Sequence, residues 1–294
     1  MVYTYDDLYI AIAKDVLKNG TWVKDNVRTK YADGTPAYYK QLLGVAFCIT
    51  PEMGVPILRS KFVGQKHPLI ELDWIWRTRS NDVKWLNDRN VHIWDNWVME
   101  PKWSNRQTIG RAYGYQLENN KRTLADDKGN SYLINQVDYV LHELKHNPNS
   151  RRIVTSLLDI EDTAYMALEP CVWATTWSVE GDTVHLQVKQ RSSDLALGNP
   201  YNVYQYYVLL HLIAYFTGFK PGNLYWYVDN MHIYDRHIDV LKEQIANYEK
   251  EPNTDILTLS MANIEGETFD TYDFSNITVP GYTHKGKYRY EVAE

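Results

Sequence analysis

The amino-acid sequence predicts a mixed α+β fold with a substantial antiparallel sheet. Amphipathic helical segments occur in both halves of the chain, two strand-like runs about a short turn predict a hairpin, and a long apolar helix follows them. Helices and strands in this uneven order are typical of α+β domains. No repeat or low-complexity stretch divides residues 1–294, so we expect one large domain.

The first fifty residues predict a helix, a loop and a strand. The helix begins near Thr4, which forms a capping box with Asp7, and should end at Gly20. A polar loop is predicted over 26–37, because glycine, aspartate and proline cluster there. Residues 38–50 have the content of a strand, with a glycine inside it.

Two further helices are predicted, with aromatic loops between them. Apolar side chains recur at helical spacing over 67–80, and Glu71 falls beside that apolar face, where it can line a cavity. Residues 89–98 and 109–117 are aromatic and loop-like, a composition that is common at binding sites. Residues 132–147 have the pattern of the next helix.

The second half of the chain predicts most of the sheet and its main buried helix. That helix is apolar nearly all round, as expected in the middle of a domain. Short strands and turns alternate in about the last forty residues. The predicted elements are a strand over 153–158, a hairpin over 171–192, the buried helix over 201–218, a strand over 223–228 and a helix over 231–250.

The composition is that of an ordinary globular protein, with 44% hydrophobic and 23% charged residues. A formal net charge of −6 gives no overall field that attracts nucleic acid or an anionic membrane, so an anionic ligand needs a local arginine cluster. Residues 1–20 lack the pattern of a signal peptide, and no window has the apolar length of a membrane span. With only two cysteines, we expect a cytoplasmic protein without a disulfide framework.

Arginines beside polar turns are the candidates for binding an anion. Arg28 lies in the first loop, Arg151 and Arg152 follow a predicted helix, and Arg191 precedes Ser192 at the end of the hairpin. Guanidinium groups bind phosphate oxygens in pairs, and a hydroxyl can complete the shell. Spacing alone leaves a second interpretation open, in which these are three unrelated surface features.

Cys171 directly follows a proline and precedes an apolar strand. A cysteine at such a place is either a small buried hydrophobic residue or a nucleophile. A nucleophile needs a cation that stabilises its thiolate, and Arg191 at the far end of the hairpin can provide one. Cys48 has no arginine in its strand and is the weaker candidate.

Two polar segments near the hairpin have the groups that bind a nucleoside. Asp194 and Asn202 flank a turn at Gly198, and an amide that both donates and accepts fits the edge of a nucleobase. His232 and Tyr234 lie two residues apart, so on a strand both would face one side and could bind a sugar hydroxyl. The first segment is also compatible with a polar loop before a helix, and the second with an aromatic-rich helix start whose polar tips are hydrogen-bonded locally.

In four segments the chain resembles the thymidylate synthase family, folate-dependent enzymes that methylate deoxyuridine monophosphate (dUMP). These segments are NPNSRRIV, MALEPC, QRSSDLALGNPYN and HIYDRH, in this order and with these gaps. The resemblance extends over nearly the whole chain, from VRTKYADGT to the final YEVAE. It implies a three-layer α/β arrangement with a large mixed, mainly antiparallel sheet packed against helices, and a homodimer whose sheets stack back to back.

The resemblance also implies roles for the candidate residues. Cys171 corresponds to the nucleophile that adds to C6 of uracil, and Asn202 to the asparagine that recognises the base. 5,10-Methylenetetrahydrofolate is the implied cosubstrate, and the sequence offers no plausible metal site. The other implied catalytic residues are Glu71, Tyr113, Arg191 and Asp194. The other implied dUMP ligands are Arg28, Arg191, Ser192, Asp194, His232 and Tyr234, with Arg151 and Arg152 from the second subunit. The implied folate site comprises Lys61, Ile93, Trp94, Trp97, Asp194, Leu197 and Gly198.

Three positions depart from the family pattern. Val172 replaces the usual histidine after the nucleophile, a variation associated with a Bacillus and phage branch. Residues 229–231 are Asp-Asn-Met, and the chain ends in Glu294 where a small apolar residue is usual. A poorly sealed cavity would admit water, so a dUMP hydroxymethylase of the same fold is the alternative, although Trp94 favours the synthase. A nucleotide-binding protein without catalysis is a third hypothesis, which the presence of Cys171 opposes.

Overall fold

The structure is a computed structural model that describes residues 3–99, 107–126 and 128–293. Glu294, one of the three departures from the family pattern, therefore lies outside the described residues. The helices are α1 (Tyr5–Asn19), α2 (Lys66–Leu72), α3 (Val83–Asn87), α4 (Gly114–Asn119), α5 (Gln136–His146), α6 (Gly198–Thr217) and α7 (Ile238–Lys250). The strands are β1 (Thr21–Val23), β2 (Tyr39–Ile49), β3 (Arg122–Ala125), β4 (Ser131–Ile134), β5 (Val154–Ser156), β6 (Val172–Glu180), β7 (Thr183–Asp194), β8 (Lys220–Tyr234), β9 (Ser260–Met261) and β10 (Ile277–Thr278).

Six strands form one mixed sheet in the order β1-β2-β8-β7-β6-β5. Each neighbouring pair is antiparallel except β7 and β8, which run parallel. A parallel pair needs a crossover connection, and α6 supplies it. The predicted α+β fold with a mainly antiparallel sheet is therefore confirmed, and so is the predicted hairpin of β6 and β7.

The sheet has one face in the core and one accessible face. Along β7, Val184, Leu186 and Val188 are buried, whereas the residues between them are half-buried. This alternation follows from the two-residue period of a strand. We call the accessible side the outer face; it carries His185, Gln187 and Lys189 of β7 and their neighbours Ser178, Tyr225, Tyr227, Ala46 and Cys48.

Helix α6 covers the core face of the sheet. It packs against β7 and β8 and also contacts α2 and α5. Its side chains are buried on nearly every side, which explains the apolar character of this segment. The helix ends at Gly218, whose φ of 82° lies in the left-handed region that favours glycine. The prediction of a helix buried in the middle of the domain is confirmed.

The first helix also has the predicted ends. The Thr4 side chain accepts from the backbone of Asp7, the Asp7 carboxylate accepts from the backbone of Thr4, and Gly20 follows the last turn. The helix predicted over 132–147 begins later than expected. Residues 131–134 form β4, and α5 begins only after the N-cap Asn135, whose side chain accepts from a backbone N–H.

The predicted helix over 231–250 begins too early. Residues 231–234 continue β8, because this strand pairs with both β2 and β7 and its backbone groups are satisfied by those neighbours. Helix α7 begins at Ile238, after a short 3₁₀ turn over Asp235–His237. Within the described ranges, none of the helices is long and apolar enough to span a membrane.

The burial of α6 makes its apolar side chains a test of the fold. Leu210 is 0% exposed, so Leu210→Ala should lower the free energy of unfolding by about 2–5 kcal/mol through lost burial and a cavity. Leu133 is 68% exposed, and the same substitution there should cost less than about 1 kcal/mol. Denaturant unfolding measures both, and equal losses in the two variants would contradict the assignment of α6 to the core.

Candidate active site

A cavity of about 830 Å³ opens between α2, the aromatic segment around residue 95 and the N-terminus of α6. Its lining is mostly apolar, with a few polar side chains, as is typical of sites for small molecules. Six residues that the sequence marked as candidates line it: Glu71, Ile93, Trp97, Leu197, Gly198 and Asn202. The structure therefore brings together residues that are far apart in the sequence.

Cys171 lies at the start of the hairpin and is held by Arg191. The Cys171 carbonyl accepts from the Arg191 backbone N–H at 2.8 Å. The Arg191 guanidinium donates to the carbonyls of Pro170 at 3.1 Å and Glu169 at 2.6 Å. Burial raises the pKa of the Cys171 thiol, and the Arg191 charge partly opposes that increase. The Arg191 side chain is therefore held against the two residues that precede the thiol.

Tyr113 contacts the same cysteine through its hydroxyl group. Its hydroxyl oxygen accepts from the Cys171 backbone N–H at 3.0 Å, and its ring packs edge-on against Trp94. Burial raises the pKa of Tyr113 well above its ordinary value, so the hydroxyl stays protonated. Tyr113 has a φ of 51°, an unfavourable value for an aromatic residue that points to a functional constraint.

Asn202 is part of a chain of side-chain hydrogen bonds that crosses from the sheet to α6. The Trp226 indole donates to Gln190 at 2.8 Å, and Gln190 donates to Asn202 Oδ1 at 3.1 Å. Asn202 Nδ2 donates to Gln205 at 3.3 Å. Because an indole N–H can only donate, this direction fixes which end of each amide is oxygen. We call this series from Trp226 to Gln205 the amide chain.

The amide chain ends at the Glu71 carboxylate. Gln205 Nε2 donates to Glu71 Oε2 at 2.6 Å, and the Trp94 indole donates to Glu71 Oε1 at 2.8 Å. Burial raises the pKa of Glu71, while these two donors favour the ionised form and lower it. The net direction is upward, so Glu71 holds its proton to a higher pH than an exposed glutamate does.

Asp194 is a buried carboxylate at the end of β7. It accepts from the backbone N–H groups of Ala196 at 2.9 Å and Leu197 at 3.2 Å, and His237 Nδ1 lies 3.7 Å away. Burial would raise the pKa of Asp194, but His237, His232 and these donors outweigh it, and the pKa is lowered. The carboxylate therefore stays ionised, and it organises the turn that precedes α6.

His232 and Tyr234 lie beside each other near the end of β8. Both belong to the same strand, and their rings pack edge-on with centroids 5.0 Å apart. Burial lowers the pKa of His232, so the ring is neutral near pH 7. Burial raises the pKa of Tyr234 to about 12, an increase that the nearby Arg28 opposes. Arg28 is exposed, and its charge acts on Tyr234 of the predicted sugar-binding pair.

Arg151 and Arg152 do not join this cavity. Both are exposed and line a separate cavity of about 960 Å³ with Arg122 and Tyr139, which shares no lining residue with the first. The described residues also contain no group of three or more His, Cys, Asp or Glu side chains that could hold a metal ion.

The buried Lys61 and the C-terminal segment close one side of the site. Lys61 donates to the Ala196 carbonyl and lies 4.8 Å from the Tyr290 ring centroid, and burial lowers its pKa to about 8. Val292 lines the cavity. Arg236 donates to the Glu291 carboxylate at 2.9 and 3.0 Å and also to Asp33 at 2.8 Å. The segment is thus attached to the loop that carries Arg28.

Two of the three departures from the family pattern lie within the described residues. Val172 is buried in β6 opposite Gln190, which shows that an apolar side chain fits there. In β8, Met231 is buried in the core, and Asn230 donates to Gln41 at 2.5 Å. Its Oδ1 lies 3.2 Å from Nδ1 of His232, so this residue supports the predicted sugar-binding histidine.

Sequence reasoning missed several residues that hold the site. Gln190 and Gln205 connect the amide chain, and Arg236 and Glu291 fix the C-terminal segment. The available signal for the glutamines was a polar residue at a buried position of an otherwise apolar strand or helix. Their partners could not be identified from the sequence, because those partners come from other elements.

The chain belongs to the thymidylate synthase family, because the family model described as "Thymidylate synthase" matches residues 7–294. Thymidylate synthase 1 of Bacillus spizizenii is 41% identical over 293 residues, which cover 98% of this chain and 99% of that protein. Thymidylate synthase of Bacillus phage phi3T is 41% identical over 292 residues, with the same coverage.

The solved structures give the same result. The thermostable thymidylate synthase A from Bacillus subtilis matches with a TM-score of 0.90 at 40% identity, covering 99% of this chain and 100% of that chain. The predicted resemblance to the family, including its Bacillus and phage branch, is confirmed. These relatives are named thymidylate synthase and give no support to the hydroxymethylase alternative.

The position of Arg191 predicts how the Cys171 thiol titrates. In a Cys48→Ser background, which leaves one thiol, Arg191→Gln should move the pH profile of Cys171 alkylation to higher pH. The guanidinium lowers the thiol pKa and burial raises it, so the thiol pKa should rise when the charge is removed. Since the thiolate reacts, alkylation near pH 8 should slow by about threefold or more.

Arg191→Lys is the matched control, because it keeps a positive charge at this position. Its alkylation profile should stay closer to the original one than that of Arg191→Gln. An unchanged profile in Arg191→Gln would show that this cation does not influence the thiol.

Proposed function

We propose that this chain converts dUMP to dTMP by reductive methylation, through a covalent bond between Cys171 and C6 of the uracil ring. Membership of the thymidylate synthase family supports the reaction. The observation that supports the covalent route is the placement of Cys171 between Arg191, whose backbone N–H donates to its carbonyl, and Tyr113, whose hydroxyl accepts from its backbone N–H. 5,10-Methylenetetrahydrofolate supplies the one-carbon unit and the hydride when bound.

Cys171 acts first in the proposed reaction. The thiolate attacks C6, which makes C5 nucleophilic toward the one-carbon unit, and the thiol leaves C6 again once the methyl group is complete. Covalent catalysis divides one difficult substitution into easier steps. Arg191 favours the thiolate by its charge, and its bonds to the two preceding carbonyls hold the sulfur in position.

In this proposal Glu71 and Tyr113 take part in proton transfer. The raised pKa of Glu71 favours a carboxyl group that can hold and release a proton, and two donors fix both of its oxygens. The Tyr113 hydroxyl lies next to the backbone of the nucleophile and takes part in removing the proton from C5. Asp194 stays ionised and arranges Leu197 and Gly198 at the folate side of the cavity.

The nucleotide would be bound at both of its ends. Asn202 accepts from N3–H and donates to O4 of uracil, an arrangement that the fixed direction of the amide chain supports. His232 and Tyr234 bind the ribose hydroxyl. Arg28, Arg191 and Ser192 bind the phosphate, for which a forked donor is well suited.

The folate would occupy the apolar part of the cavity. Aromatic walls exclude water from the reactive carbon, and a dry cavity favours hydride transfer over hydrolysis. Trp94 is buried against Trp74 and Trp97, which gives such a wall. The proposed folate residues are Lys61, Ile93, Trp94, Trp97, Asp194, Leu197 and Gly198.

The active form in this proposal is a homodimer in the cytoplasm, with residues 1–294 as one catalytic domain. The outer face of the sheet supports this, because Tyr227 is 36% exposed there, with the Lys189 ammonium group 3.3 Å from its ring centroid. An accessible aromatic sheet face is typical of a surface that binds another protein. Arg151 and Arg152, exposed and remote from the cavity, then reach the phosphate in the second subunit.

The products of the reaction test the proposed function. Incubation with dUMP and 5,10-methylenetetrahydrofolate should give dTMP and dihydrofolate in equal amounts, identified by mass. Formation of 5-hydroxymethyl-dUMP with tetrahydrofolate would show that water, not hydride, completes the reaction. No conversion of dUMP under these conditions would contradict the proposal as a whole.

Replacing the nucleophile should separate chemistry from binding. Cys171→Ser should abolish turnover, because a serine hydroxyl is far less nucleophilic than a thiolate near neutral pH. Its affinity for dUMP should stay within about tenfold, since the phosphate and base contacts remain. Cys48→Ser is the matched control and should keep turnover. Near-normal turnover in Cys171→Ser would show that the nucleophile is misassigned.

A further inference from the structure

We propose that Gln205 is a positioning residue that acts on two groups at once: it fixes the orientation of the Asn202 amide and holds the Glu71 carboxylate. This inference rests on the proposed function and adds to it a physical link between recognition of the base and the proton chemistry. The link is a single buried side chain whose three polar contacts are all defined.

Gln205 lies in α6 three residues after Asn202, so the two side chains emerge on the same face of the helix. Only 3% of Gln205 is exposed. Its Nε2 donates to Glu71 Oε2 at 2.6 Å and to the Pro68 carbonyl at 2.9 Å, and its Oε1 accepts from Asn202 Nδ2 at 3.3 Å. Both N–H groups of the amide are therefore used.

The direction of this amide is set by its neighbours. The Pro68 carbonyl can only accept, and an ionised Glu71 can only accept, so both must face the NH₂ end of Gln205. The oxygen then faces Asn202, which must turn its own NH₂ toward it. The Trp226 indole imposes the same direction from the other end through Gln190. The Asn202 amide is thus held from both sides, and the resulting placement of its oxygen and its NH₂ group suits uracil and not cytosine.

The contact with Gln205 also affects the pKa of Glu71. Gln205 and Trp94 are its two hydrogen-bond donors, and they oppose the effect of burial on its pKa. Within the described part of the chain, the titratable side chains that interact with Glu71 are Tyr113 and Tyr206. Burial raises the pKa of both tyrosines, so both stay neutral and leave the donors as the groups that favour the carboxylate.

Two substitutions separate the effect of Gln205 on the orientation of Asn202 from its effect on the pKa of Glu71. Gln205→Glu keeps an oxygen that accepts from Asn202 but puts a second carboxyl group against Glu71, so the two must share a proton. This variant should discriminate between dUMP and dCMP within about threefold of the original protein. The pKa that governs the pH profile of kcat should rise by about one unit or more.

Gln205→Met removes the acceptor as well as the donors. The ratio of dCMP to dUMP dissociation constants should fall by about fivefold or more, the effect of losing one hydrogen bond that orients Asn202. The pKa in the pH profile of kcat should also rise, because Glu71 loses a donor and stays buried. Calorimetric titration of the full chain with each nucleotide gives the ratio without requiring turnover.

Gln136 offers a matched control. It is also 3% exposed, and its Nε2 donates to the carbonyls of Gln116 and Ser156, both at 2.8 Å, while its Oε1 accepts from the Ser156 backbone. Gln136→Met and Gln136→Glu should lower thermal stability as the Gln205 variants do. They should leave both the nucleotide ratio and the pH profile unchanged.

Three outcomes would overturn the proposal. The nucleotide ratio of Gln205→Met could stay within about twofold of the original, the pH profile could stay unchanged in both Gln205 variants, or the Gln136 variants could shift the same two quantities. Failure of the proposed function is distinguishable, because the unsubstituted chain would then form no dTMP. The inference fails if the unsubstituted chain forms dTMP and any one of these three outcomes is observed.

Discussion

The site depends on one directed series of hydrogen bonds, from the Trp226 indole through three amides to the Glu71 carboxylate. The Trp226 indole at one end can only donate, and the Pro68 carbonyl that Gln205 contacts at the other end can only accept, so no amide in the series can reverse without leaving buried polar atoms unpaired. Each unpaired group would cost about 1–3 kcal/mol. This constraint explains how a polar wall can be rigid inside an apolar cavity.

The nucleophile is held by a different part of the same sheet. Gln190 and Arg191 are consecutive in β7, so their side chains point to opposite faces of the strand. One side chain enters the amide chain, while the other reaches the two carbonyls that precede Cys171. The spacing between base recognition and nucleophile is therefore set by a single strand, whose hydrogen bonds to β6 and β8 limit its movement. Such precision suits a reaction that needs close alignment of the reacting atoms.

The sequence predicted those parts of the structure that depend on local patterns. The capping box at Thr4, the hairpin and the apolar helix were all foreseen, because each is determined by residues close together in the chain. Residues 231–234 were wrongly assigned to a helix, since only pairing with two other strands makes them extended. The resemblance supplied candidate site residues, but Gln205 carries no local signal of its partner, which lies 134 positions away in the chain.

Closure of the cavity depends more on buried contacts than on exposed charges. Arg236 makes well-formed ion pairs with Glu291 and Asp33, yet all three side chains are accessible to water, where such pairs contribute little. His237 is fully buried, and its Nε2 lies 2.7 Å from the Glu291 carbonyl. Losing that contact would leave a buried ring nitrogen unpaired, at a cost of about 1–3 kcal/mol.

His237 also connects the C-terminal segment to the rest of the site. Burial lowers its pKa, but Asp194 and the Glu291 carbonyl outweigh that effect and raise it, so the ring is more easily protonated than an exposed histidine. Protonation strengthens its attraction to the buried Asp194 carboxylate, which in turn orients the turn before α6. The segment that covers the cavity and the turn that lines it are thus held by one imidazole.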